Sequence, residues 1–185
     1  MDRTLIEAAR SGDEEAFASI ARSSADRLFA VAHRILRDVG LAEDAVQQTL
    51  VTAWRELPGL REVERFEAWI HRILVHACYA EARQARRWSA NVTVLSIDGS
   101  TTPDTALSFA TRDALERGFR RLPPEQSAAF VLHHYLGWSL TEIAANLGVP
   151  LGTVKSRIHY ATASLRAAIE ADARTATPAS RERMA

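Results

Sequence analysis

Residues 139–166 read SLTEIAANLGVPLGTVKSRIHYATASLR. Ser139 followed by Glu142 is a capping box, so a helix begins there. Leu140, Ile143, Ala144 and Leu147 fall on one face of it. Gly148-Val149-Pro150 then breaks the helix, because glycine supplies the turn and proline suits the first turn of a new one. The second helix turns Val154, Ile158, Ala161 and Leu165 inward. It leaves Thr153, Lys155, Ser156, Arg157, His159 and Tyr160 on its other face. Two short helices, a tight turn and a polar, basic outer face make a helix-turn-helix over 140–159. In that motif the second helix enters the major groove of DNA and its first residues reach base edges.

The rest of the composition limits what such a motif can do alone. The 185 residues carry 23 basic and 23 acidic side chains, so there is no global basic field. Phosphate neutralisation supplies much of the affinity of DNA-binding proteins, so this balance points to DNA met with a partner's help. One cysteine, Cys78, excludes an internal disulfide and a CxxC zinc site. No apolar run approaches the ~20 residues of a membrane span, and no secretion signal opens the chain. The expected location is the cytoplasm. Residues 1–60 hold ten Asp/Glu against seven Lys/Arg, and residues 61–90 hold six Arg against four Glu. An acidic front followed by a basic helix suggests surfaces for two different partners.

Helical signals run through the chain and no strand pattern appears. A short helix over about Thr4–Arg10 stops at Ser11-Gly12. Asp13 is an N-cap for a long second helix with an apolar stripe of Phe17, Ile20, Ala21, Leu28, Ala32 and Ile35, loose around Ser23-Ser24 and ending near Val39-Gly40. A third helix, about Ala42–Leu57, packs Val46, Leu50, Ala53, Trp54 and Leu57 inward and stops at Pro58-Gly59. Its other face gathers Asp44, Gln47, Gln48, Val51 and Arg55, a hydrogen-bonding strip suited to a protein partner. A loop from Leu60 to Arg65 leads to a fourth helix, about Phe66–Arg87. Phe66, Trp69, Ile70, Ile73, Leu74, Ala77 and Cys78 give it bulk, and Arg72, His76, Tyr79, Arg83, Arg86 and Arg87 give it a basic, partly aromatic outer side. Basic residues interleaved with aromatics suit unstacked bases. His71, His76 and Cys78 do not converge on one face, so no metal site is expected.

Residues 88–108 are Ser/Thr-rich, broken by Gly99 and Pro103, and without helical period, which reads as an extended linker. Beyond it Leu115, Phe119 and Leu122 mark one helix, Glu125 to Tyr135 another, and the helix-turn-helix closes a four-helix bundle. The expected fold is all-α: two small helical domains, 1–88 and 109–171, joined by the linker 89–108 and followed by a flexible tail, 172–185.

Three blocks in this order resemble the sigma-70 family of bacterial transcription initiation factors, in its small extracytoplasmic-function group. They are AEDAVQQTLVTAWREL (42–57), FEAWIHRILVHACYAEARQARR (66–87) and LPPEQSAAFVLHHYLGWSLTEIAANLGVPLGTVKSRIHYATASLR (122–166). The first looks like the family's polymerase-binding helix, the second like its promoter −10 and melting helix, the third like its −35-reading domain. The likeness spans about Leu5 to Ile169. It implies that Asp44, Gln47 and Gln48 contact core RNA polymerase, and that Arg72, His76, Arg83, Arg86 and Arg87 lie near the −10 element. It places Thr153, Lys155, Ser156, Arg157 and His159 at the −35 element. Melting takes a base out of the stack at a cost of a few kcal/mol, which binding energy from the whole holoenzyme offsets. The resemblance implies a monomer that partners core polymerase and promoter DNA, an anti-sigma partner, no cofactor or metal, and no catalysis of its own.

The sequence departs from the family's usual pattern in several places. The −10 loop, Arg61-Glu62-Val63-Glu64-Arg65, carries two glutamates. His76 stands where asparagine is common and Ala80 where aspartate is common. After Lys155-Ser156-Arg157 comes His159-Tyr160-Ala161-Thr162 rather than a second basic cluster, which means fewer phosphate contacts from this helix. These departures bear on the promoter sequence, not on the class. Two rivals fit the residues less fully: a stand-alone dimeric helix-turn-helix regulator, and a protein that only sequesters polymerase or an anti-sigma factor.

Overall fold

The computed structural model describes residues 2–91 and 106–176. Its helices are α1 (Arg3–Arg10), α2 (Glu14–Leu36), α3 (Val39–Glu56), α4 (Phe66–Asn91), α5 (Ala106–Arg121), α6 (Pro124–His134), α7 (Leu140–Leu147) and α8 (Leu151–Ala176). Two 3-10 turns, Leu57–Gly59 and Val63–Arg65, connect α3 to α4. No strand occurs among the described residues. Most of the expected linker, 92–105, and the end of the tail, 177–185, lie outside them. The linker's two edges are helical, because α4 continues to Asn91 and α5 starts at Ala106, and α8 runs on to Ala176.

Local chemistry sets the starts and stops. The carboxylates of Asp2, Asp13 and Asp38 accept the backbone N–H groups of Thr4, Ala16 and Leu41 at the N-termini of α1, α2 and α3. Such a cap contributes ~1 kcal/mol. Both halves of the Ser139–Glu142 capping box are formed, and Gly148 ends α7 in the left-handed conformation with φ 65°. The Asp38 cap corrects the expected end of α2. That helix stops at Leu36, Arg37 turns left-handed at φ 55°, and Val39 and Gly40 open α3 instead of closing α2. Glycine costs little in a first turn, and the carboxylate cap decides the boundary. The Ser23-Ser24 region does not interrupt α2: the Ser23 hydroxyl donates to the Ile20 carbonyl at 3.0 Å, within a continuous helix.

The front half packs α2, α3 and α4 against one another, with α1 on α2. The back half packs α5 and α6 on α8, with α7 across α8. A small cluster of Phe119, Leu122, Ala161 and Leu165 holds α5 to α8. Gly118 lets these two helices approach. A Cβ there would lie 3.0 Å from Leu165 Cδ2 and 3.1 Å from Ala168 Cβ. Gly118→Val is therefore expected to destabilise the chain by about 1–3 kcal/mol through overpacking. Thermal denaturation should read this as a fall of several degrees in Tm; an unchanged Tm would show that α5 can move away freely.

The two halves also pack on each other. The largest core cluster joins Ile20, Leu28, Phe66 and Leu74 of the front half to Leu132, Ile143, Leu147 and Val154 of the back half. α6 lies on α2 and α4, and α7 lies on α4. Polar contacts cross the same boundary. Arg37 Nη1 meets Glu116 Oε1 at 2.6 Å, and the Asn146 amide donates to the Ala68 carbonyl at 2.6 Å. The Arg34 guanidinium sits 3.9 Å above the Tyr135 ring, and Arg37 sits 4.1 Å above Phe119.

His71 is buried at this boundary, edge-on to Trp138 at 5.7 Å. Its Nδ1 lies 2.7 Å from the Glu67 carbonyl, which can only accept, so the ring proton resides there. Burial holds the His71 pKa below the ordinary histidine value, against the opposing pull of the Glu67 carbonyl and carboxylate. The unfolded chain therefore takes up a proton first as pH falls through about 6.5. Stability present above that pH is expected to decline towards pH 5, with Glu67 and Arg27 the nearest charges. Denaturant melts across that range should show a shallower acid limb for His71→Gln than for the parent; equal slopes would rule His71 out as the titrating group.

Candidate nucleic-acid interface

The recognition helix is the first part of α8. Val154 and Ala161 are fully buried, Leu165 is buried, and Ile158 is partly buried against the core. That fixes the rotation of the helix and brings Lys155, Ser156 and His159 to solvent, as the spacing predicts. The Ser156 hydroxyl donates back to the Thr153 carbonyl at 3.0 Å. Thr153 and Arg157 differ from expectation: both are half-buried, and Arg157 lies near Tyr79 of the front half. Tyr160 is 60% exposed beside His159, with ring centroids 5.6 Å apart. It stands on the open face, as its place in the helical repeat predicts, though it is not among the residues the resemblance places at the −35 element.

On α4, Arg72, His76, Arg83, Arg86 and Arg87 are all exposed and share one arc of the helix. Arg86 Nε also donates to the Ala82 carbonyl at 3.2 Å. Tyr79 falls within the same arc by sequence but is not on the open side. The back half covers it, its hydroxyl is buried without a hydrogen-bond partner, and Arg157 and Glu125 lie near enough to act on it electrostatically. Burial pushes its pKa upward. Ala68 and His71 face the back half on the same flank, and Arg72 and His76 stay outside it. Trp88, expected at the head of the linker, stands instead on the end of α4 and is 67% exposed.

The loop before α4 is held from below. Leu57 and Val63 are buried, and Arg10 donates to the Leu60 carbonyl at 3.3 Å. Its two glutamates are matched by arginines: Glu62 with Arg65 at 2.6 Å and Glu64 with Arg3 at 2.9 Å. Both pairs are exposed, so each contributes little to stability, but they offset the acidic character of the loop. An open cleft runs between this loop and α7, bordered by Arg61, Arg65, Arg72, Trp69, Trp138 and Asn146.

On α3, Asp44, Gln47 and Gln48 are exposed along one face with Val51, which is 43% exposed. Gln48 Nε2 donates to the Thr52 hydroxyl at 3.3 Å. Ala42, Ala45 and Ala53 are fully buried on the opposite side, and the Thr49 hydroxyl donates to the Ala45 carbonyl at 2.6 Å. The small residues let α3 sit close to its neighbours, which holds the glutamine strip rigidly outward. Cys78 is fully buried, and burial pushes its thiol up to about 12. Among the described residues no three His, Cys, Asp or Glu side chains come together to hold a metal ion, and no helix is long and apolar enough to cross a membrane.

Comparison with known proteins bears directly on these surfaces. Residues 20–88 match the family described as Sigma-70 region 2, and residues 112–165 match Sigma-70, region 4. The ECF RNA polymerase sigma factor SigM of Mycobacterium tuberculosis is 35% identical over 164 residues, covering 89% of this chain and 82% of SigM. The chain belongs to the ECF sigma factors. SigL of Mycobacterium tuberculosis is 35% identical over 170 residues, covering 86% of this chain and 94% of SigL. Among solved structures, RpoE of Bartonella quintana, in complex with the anti-sigma factor NepR, superposes with a TM-score of 0.64 at 26% identity, covering 83% of this sigma factor and 96% of RpoE. CnrH, in complex with the cytosolic domain of CnrY, superposes with a TM-score of 0.62 at 27% identity, covering 92% and 98%. This chain is thus an RNA polymerase sigma factor, and it directs promoter-specific initiation of transcription.

Proposed function

We propose that the front half of this sigma factor, 1–88, binds core RNA polymerase through Asp44, Gln47 and Gln48 and meets the −10 element with Arg72, His76, Arg83, Arg86 and Arg87. In the same reading the back half, 109–171, reads the −35 element with Thr153, Lys155, Ser156, Arg157 and His159. The observation that carries it is the exposure of most of these side chains on three separate helices, Thr153 and Arg157 of α8 being half-buried. The acidic and amide strip on α3 is separate from the basic stripe on α4 and from the polar face of α8. A strip of short hydrogen-bonding side chains suits a protein surface, and arginine and lysine suit phosphates.

The chain supplies recognition and polymerase supplies the chemistry of RNA synthesis, so the sigma factor itself catalyses nothing. It works in the cytoplasm as a monomer, where its polymerase and promoters are. An anti-sigma factor controls it; RpoE and CnrH, which share its fold, are seen in complex with the anti-sigma factor NepR and with the cytosolic domain of CnrY. The departures on the recognition helix favour base contacts over phosphate contacts, with His159 and Tyr160 in place of cations.

The test is competition. Fluorescently labelled protein should bind core RNA polymerase, a housekeeping sigma factor should displace it, and light scattering should give a monomer. A folded dimer that ignores polymerase would replace this reading with that of a stand-alone DNA-binding regulator.

A further inference from the structure

The open cleft between the α3–α4 loop and α7 has a volume of about 910 Å³ and draws its walls from both halves of the chain. That size suits a single small molecule, since ligand sites commonly span ~300–1,000 Å³.

Its charge is one-sided once its ion pairs are formed. Four glutamates border it, and each is already matched. Glu62 meets Arg65 at 2.6 Å, Glu64 meets Arg3 at 2.9 Å and Glu67 meets Arg27 at 3.4 Å. The Glu142 carboxylate accepts the Ser139 backbone N–H at 2.7 Å. Arg61 and Arg72 border the same cleft, are exposed, and have no carboxylate partner among the described residues. Two unmatched guanidiniums on one cleft suit a ligand with more than one negative charge, and their planar forks fit phosphate oxygens.

The rest of the lining is aromatic and amide. Trp69 stands on the front-half wall and Trp138 on the back-half wall. Packing sets both indoles, Trp69 against Phe66 at 5.7 Å and Trp138 against His71 at 5.7 Å. Indoles held in this way stack on a flat heterocycle at little ordering cost. Asn146 borders the cleft from α7. Its amide donates to the Ala68 carbonyl, and its Oδ1 is buried without a hydrogen-bond partner. An orphaned acceptor is costly, and a ring N–H or exocyclic amino group satisfies it. A phosphate chain, a flat ring and N–H donors together describe a nucleotide.

We propose that this cleft binds a free purine nucleoside diphosphate, with Arg61 and Arg72 on the phosphates, Trp69 and Trp138 against the base, and Asn146 Oδ1 accepting from it. Arg72 also belongs to the basic stripe of α4, so an occupied cleft withdraws a cation from the −10 strand. That consequence rests on the −10 reading above; the site itself does not.

The full chain is titrated with GDP and with ADP, followed by indole fluorescence and by calorimetry. At least one should quench the fluorescence and bind with a Kd of about 1–100 μM. Inorganic pyrophosphate and the bare nucleosides should each bind at least about tenfold more weakly, because each lacks half of the contacts. Arg61→Gln should weaken nucleotide binding about tenfold by removing one charged hydrogen-bond donor. Ala145→Glu sets an unmatched carboxylate on the back-half wall, at an exposed helical position that glutamate suits, and should weaken binding at least as much. Circular dichroism should show both variants folded as the parent is. No binding of either nucleotide at about 1 mM would overturn the site. Pyrophosphate bound as tightly as the nucleotides would reduce it to a patch for anions and overturn the proposal. Unchanged affinity in both variants would place the ligand elsewhere and overturn it as well. A single-stranded −10 oligonucleotide should compete with the bound nucleotide. If the variants lose the nucleotide while the parent binds it, yet the oligonucleotide neither binds nor competes, the site stands and the −10 reading fails.

Discussion

Replacing Lys155 and Arg157 together with alanine is expected to cut transcription from a cognate promoter roughly thirty-fold or more, since each base or phosphate contact contributes about 1–3 kcal/mol. Lys155 is exposed at the head of the recognition helix, and Arg157 lies half-buried on its flank. Neither side chain fills the core, which Val154, Ala161 and Leu165 occupy on the other side of α8. The fold should therefore survive, and binding to core polymerase should stay within about twofold of the parent, as for surface substitutions. Losing Lys155 should also reduce the salt dependence of promoter binding by about one counterion. Run-off transcription and polymerase titration on the same preparation decide the matter. If the double variant loses polymerase binding, the division of labour between α3 and α8 is wrong. If it transcribes normally, His159 and Tyr160 carry more of the recognition than the basic residues do.

The second large effect is expected on the opposite surface. Asp44→Arg combined with Gln47→Ala should weaken binding to core polymerase roughly thirty-fold, the ~2 kcal/mol typical of losing a central interface contact. Both residues are exposed, and the inner side of α3 is held by Ala42, Ala45, Val46 and Ala53, so helicity and melting should match the parent. An isolated front-half fragment is not needed, because the full chain reports binding directly. Retained affinity in this variant would move the polymerase contact off α3, and Val51 and Arg55 further along the same face would then be the wrong place to look as well.

These two experiments probe surfaces that differ in how they were legible. The α3 strip and most of the α4 stripe follow from helical periodicity, because a helix with a well-defined apolar side leaves the other side open. Lys155, Ser156 and His159 came from the same rule. The rule failed at Tyr79, Thr153 and Arg157. Their positions in the repeat place them near the open face, but Tyr79 and Arg157 meet where the two halves pack, and Thr153 is half-buried at the start of α8. Periodicity identifies a face and says nothing of which distant segment will sit on it.

The sequence by itself determined the run of helices, the Asp13 and Ser139 caps, the Gly148 turn, the helix-turn-helix and the family. All of these depend on residues within a turn or two of one another, so local energies settle them. Only the tertiary structure decided the rest. It buried His71 against Trp138, set Asn146 on Ala68 and put Arg37 against Glu116. These outcomes join residues such as Arg37 and Glu116, far apart in the chain and brought together by apolar burial shared between the halves. Burial is non-directional and has no short-range signature, so the closed arrangement was not readable from any single stretch.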